Sequence, residues 1–91
     1  MLYNTGNDAP HFIPPAITRL DLKPVKVIEK NFIYSLENVE EIVFAEGTER
    51  IEAYAVEKCR NLRKVYIPAS VTYMDKEAIY DCGDKVEVIR K

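Results

Sequence analysis

Glycine, histidine and cysteine are all scarce in this 91-residue sequence, and each shortage removes a class of chemistry. The three glycines, Gly6, Gly47 and Gly83, lie far apart, so no glycine-rich loop can cradle a phosphate. The single histidine, His11, sits in a proline-rich lead-in with no evident serine or cysteine partner, which argues against a Ser-His-Asp or Cys-His arrangement. Two cysteines with one histidine give no metal-ligand spacing. Glu40-Glu41 and Asp81/Asp84 are ordinary surface carboxylates. The expectation is therefore no enzyme, no cofactor and no metal.

Long apolar runs and blocks of one charge are missing too. No stretch approaches the ~18 residues of a membrane span. Residues 1–8 lack the positive and apolar regions of a secretory signal, so a cytoplasmic protein is expected. The 13 basic and 15 acidic residues interleave, giving a net charge of −2 and no basic stripe for a phosphate backbone. That pattern argues against a nucleic-acid partner. What is present is an ordinary globular share of hydrophobic residues, 47%, enough for one small domain and too much for wholesale disorder.

The sequence repeats itself. Ile51-Glu-Ala-Tyr-Ala-Val-Glu-Lys-Cys59 returns as Met74-Asp-Lys-Glu-Ala-Ile-Tyr-Asp-Cys82, an offset of 23 residues that also relates Ile42 to Val65, Phe44 to Ile67 and Ala55 to Ala78. An earlier trace runs Ile17, Leu20, Leu22, Val25, Ile28, Phe32 and Leu36, with one residue missing between Leu22 and Val25. Val86 and Val88 begin a further copy. A fixed period of this length means stacked units that share one core.

Within a unit, Ile42-Val-Phe44 and Val65-Tyr-Ile67 alternate with period two and read as short strands. Ile51, Ala55 and Cys59, like Met74, Ala78 and Cys82, recur every four residues and predict short helical turns. On this reading Asp75 and Glu77 begin a helix and Gly83 ends one. Repetition in one sense makes the strands parallel with right-handed crossovers. The fold class expected is α/β: a small parallel sheet with short helical turns. Residues 1–16 fall outside the repeat and predict an irregular N-terminal cap, with Leu2, Tyr3, Phe12 and Ile13 covering the first unit. Residues 17–91 form the repeat domain of about three units. Cys59 and Cys82 share one slot and read as buried core thiols, although the spacing of stacked strands does not forbid a bridge.

At residues 62–82, Leu62, Val65, Ile67, Pro68, Ser70, Val71, Met74, Ala78 and Cys82 match position by position the pattern of the BspA-like bacterial leucine-rich repeats, which this stretch resembles. The resemblance covers residues 17–91 and is strongest over 39–82. It implies a curved solenoid and a binding role, with no catalytic residues to transfer. Ile79 and Val56 stand where that family usually has phenylalanine, and Met74 where it has isoleucine.

Between the inward pairs, the strands turn two rows outward. One is Arg19, Glu41, Lys64 and Glu87, alternating in charge. The other is Asp21, Val43, Tyr66 and Ile89, mostly apolar. The expected protein-binding residues are Val43, Tyr66 and Ile89 with Glu41, Lys64 and Glu87. Tyr34, Tyr54, Tyr73 and Tyr80 are expected on the convex side, covering core with solvated hydroxyls. The function expected is a non-catalytic protein-interaction module acting through its sheet face or an end. A homodimer through the C-terminal edge strand is also expected. The alternative is a small phage or mobile-element inhibitor that blocks a host defence enzyme by steric occlusion.

Overall fold

Two-residue alternation, interrupted every few residues by a turn, produces a coil of short strands. A computed structural model describes residues 18–83 and 85–90 of the chain. The N-terminal cap expected over residues 1–16 lies outside them. The first coil comprises β1 (Arg19–Asp21), β2 (Val27–Ile28) and β3 (Ile33–Tyr34). The second comprises β4 (Glu41–Val43), β5 (Arg50–Ile51) and β6 (Val56–Glu57). The third comprises β7 (Lys64–Ile67), β8 (Tyr73–Met74) and β9 (Ile79–Tyr80), and β10 (Glu87–Arg90) opens a fourth.

Stacking the coils makes three parallel sheets, ordered β1-β4-β7-β10, β2-β5-β8 and β3-β6-β9. Register follows the sequence repeat: Leu20 faces Ile42, Ile42 faces Val65, and Val65 faces Val88. Ile28, Ile51 and Met74 form a second inward ladder, and Ile33, Val56 and Ile79 a third. Each sheet buries one residue in two, so the three ladders meet in a single core.

The expected helical turns are absent: no helix occurs among the described residues, and α/β is corrected to an all-β parallel solenoid. The four-residue spacing arises from corners instead. In the second coil, turns closed by Thr48 N–H to Ala45 O, Ala55 N–H to Glu52 O and Leu62 N–H to Cys59 O separate the strands. Asn31 and Tyr54 occupy the third turn position with φ of 60° and 60°, as a type II turn requires. Ser35, Lys58 and Asp81 repeat a second left-handed position just after each third-sheet strand. A two-residue strand plus such a corner returns an inward side chain every four residues, which periodicity alone cannot distinguish from a helix.

The acids and glycine assigned to helix ends do other work. Asp75 Oδ1 accepts the Glu77 N–H at 2.9 Å, bracing the corner. Gly83 lies outside the left-handed region, but a Cβ there would stand 2.6 Å from the Leu62 carbonyl oxygen. Gly47, at φ 106°, supplies the turn after β4. Ser70 of the Pro-Ala-Ser-Val motif ties the third coil to that turn, its hydroxyl donating to Thr48 O at 2.7 Å and accepting from Gly47 N–H at 3.0 Å.

Candidate protein-interaction face

The four-stranded sheet turns its Leu20-Ile42-Val65-Val88 ladder inward and leaves two rows on its outer face. Pairing Arg19↔Glu41, Glu41↔Lys64 and Lys64↔Glu87 builds the charged row. Asp21↔Val43, Val43↔Tyr66 and Tyr66↔Ile89 build the other. All six residues singled out in the sequence therefore share this face. Val43, Tyr66 and Ile89 are half-buried, as are Glu41 and Lys64, while Glu87 is exposed.

Electrostatics along the charged row are uneven. Arg19 Nη1 lies 3.6 Å from Glu41 Oε1, and its Nε lies 3.4 Å from Asp21. Its guanidinium also stands 5.8 Å from the centre of the Tyr66 ring. These contacts are exposed and contribute at most about 1 kcal/mol each. Among the described residues, Lys64 forms no ion pair with either glutamate beside it in the row. The row thus alternates in charge, but only its Arg19 end closes into a contact.

The tyrosines form separate decorations on the other two sheets. Tyr34 and Tyr80 stand in one row of β3-β6-β9, with Glu57 between them, and each is 47% exposed. Tyr54 meets Tyr80 edge-to-face at 5.0 Å, and Lys30 and Lys58 approach Tyr54 and Tyr34. Arg50 covers Tyr73 at 4.5 Å. Two of the hydroxyls also find a protein partner. Tyr54 donates to Glu77 Oε1 at 3.0 Å and Tyr73 to Asp75 Oδ2 at 2.9 Å. Each bond to a carboxylate raises the phenol's pKa. Asp75 moves the other way: the Glu77 N–H and then the Tyr73 hydroxyl hold its carboxyl below the ordinary value.

One polar core residue escaped the sequence pattern. Thr48 is fully buried in the slot that valine fills in the neighbouring coils, and its hydroxyl has no hydrogen-bond partner among the described residues. Among the described residues no cluster of three or more His, Cys, Asp or Glu side chains could hold a metal, and no helix is long and apolar enough to cross a membrane.

Comparison with known families gives a match over residues 12–87 to a model described as BspA type leucine rich repeat region (6 copies). No curated protein and no solved structure matches the chain. The 23-residue ladder, the turn tied by Ser70 and this match together place the chain in one group: it belongs to the BspA-type leucine-rich-repeat family.

Proposed function

We propose that the chain is a non-catalytic module that binds a partner protein through the outer face of β1-β4-β7-β10. The observation that carries this reading is the in-register row Val43, Tyr66 and Ile89, half-exposed and flanked by Glu41, Lys64 and Glu87. A tyrosine between two aliphatic side chains, rimmed by charge, has the composition of a protein-binding centre. Lys64 between two glutamates supplies polar specificity at the rim.

The test is the double variant Val43→Asp/Tyr66→Ala, with Tyr34→Ala on a different sheet as control. Affinity for a captured, identified partner should fall at least about 100-fold in the first, the loss of a hot spot of 2 kcal/mol or more, and stay unchanged in the second. Far-UV circular dichroism checks that the solenoid persists. Retained affinity in the double variant excludes this face.

A second reading, homodimerisation, rests on β10. Its outer edge has no strand partner among the described residues, and Val88, in register with fully buried Val65, is 43% exposed. An unpaired edge of four residues is a template for another copy. Sedimentation at micromolar concentration should show a dimer that Val88→Lys dissociates. A monomer at all concentrations removes this reading.

A further inference from the structure

Cys59 and Cys82 occupy one slot on consecutive coils. β6 and β9 pair in register through Glu57↔Tyr80, and Lys58 N–H still reaches Tyr80 O at 3.2 Å one residue further on. The next pair is Cys59 and Cys82. Neighbouring strands lie about 4.8 Å apart, inside the Cα separation of about 4.4–6.8 Å that a disulfide spans. Both thiols are free, and the Cys82 sulfur reaches back to the second coil, donating to Val56 O at 3.8 Å.

Their surroundings differ sharply. Cys59 is fully buried between the Leu36 and Cys82 positions of its ladder. Cys82 is half-buried and lines a concavity of about 340 Å³ at the open end, with Met74, Ile79, Gly83, Val86 and Val88. Lys76 and Asp81 are the charged groups of that concavity. Cys59 Sγ donates to Glu57 O at 3.8 Å, and Cys82 Sγ also to Tyr80 O at 3.4 Å. The neighbouring Cys59 thiol lowers Cys82 to about 7 against the opposing effect of burial. Cys82 in turn, with burial, pushes Cys59 up. An accessible thiol one strand from a buried thiol is the arrangement of an attacking and a resolving cysteine.

We propose that this end of the solenoid is a modification site for low-molecular-weight disulfides, with Cys82 as the attacking thiol and Cys59 as the resolving one. The Cys82 thiolate attacks one sulfur of R–S–S–R, forming Cys82–S–S–R and expelling R–S⁻. Cys59 then loses its proton and its sulfur attacks Cys82 Sγ, expelling the second R–S⁻. Two protein thiols are oxidised by two electrons, and the reagent is reduced to two R–SH. The new bond staples the third coil to the second.

Oxidised glutathione and mass spectrometry of the full chain test this. The wild type should lose two hydrogens and retain no glutathione. Cys59→Ala should accumulate one glutathione on Cys82, whereas Cys82→Ala should react at least about tenfold more slowly, as expected of a buried protonated thiol. Pulse alkylation of the folded wild type, mapped by peptide, gives the same order without any variant: Cys82 labelled first and Cys59 spared. Equal labelling of the two cysteines, or a wild-type glutathione adduct that never closes, overturns the proposal.

Discussion

The second coil and the open end of the solenoid carry almost the same residues in the same slots, yet they differ in burial. Ile51, Val56 and Cys59 are fully buried, whereas Met74, Ile79 and Cys82 are only partly so. Val65 and Val88 form the same contrast within one sheet. Local sequence cannot account for this, because the alternation and corners repeat. What differs is the neighbour: β5 and β6 each have a strand on both sides, while β8 and β9 have one. In a stacked architecture a residue's burial is set by the coils above and below it.

The largest effect should separate the two regions directly. Ile51→Ala removes a side chain enclosed by two coils and should cost about 3 kcal/mol. Met74→Ala, one coil further on, should cost about 1 kcal/mol, because much of the methionine is already in water. Urea midpoints at constant slope report both values; equal losses would erase the distinction.

Next comes Thr48, whose buried hydroxyl lacks the partner that its valine counterparts do not need. Thr48→Val keeps the β-branched shape and should stabilise the fold by about 1 kcal/mol. A loss of stability would mean that the hydroxyl has a partner after all.

The smallest effect concerns the corners. Tyr54 turns the second coil in the left-handed region, while the equivalent Glu77 is not left-handed and is held by Asp75. Because the Asp75 carboxyl is lowered in the fold, its contribution is complete above the unfolded carboxylate's value of about 3.9. It disappears as pH falls through the lower native value. Asp75→Asn should therefore lower the neutral plateau slightly and leave stability below the native value little changed, which flattens the acid limb of the stability curve. An unaltered acid limb would assign that limb to other carboxylates.

Much of this organisation was legible in the repeat. The offset that matches Ile42 to Val65 also gives strand register, and register places Glu41, Lys64 and Glu87 in one row and Val43, Tyr66 and Ile89 in another. The corners were not legible. Ile51, Ala55 and Cys59 have the spacing of a helix face, and only the backbone shows that Tyr54 and Lys58 turn left-handed between them. Thr48 was hidden because a hydroxyl does not register in an apolar pattern. Gly83 pointed to a helix end, whereas its cause is the Leu62 carbonyl of another coil. The unequal exposure of Cys59 and Cys82 depends on stacking, which identical local sequence cannot report.

Amide hydrogen exchange is the most direct test of the contrast between an enclosed coil and an open end. Ile33 N–H bonds Ala55 O at 2.9 Å and Val56 N–H bonds Ala78 O at 2.9 Å, each reaching the following coil. Ile79, next in that ladder, has no following strand beside β9 among the described residues. The account predicts that Ile33 and Val56 exchange at least about 100-fold more slowly than Ile79. Equal protection at Val56 and Ile79 would contradict it, because the end of the solenoid would then be covered.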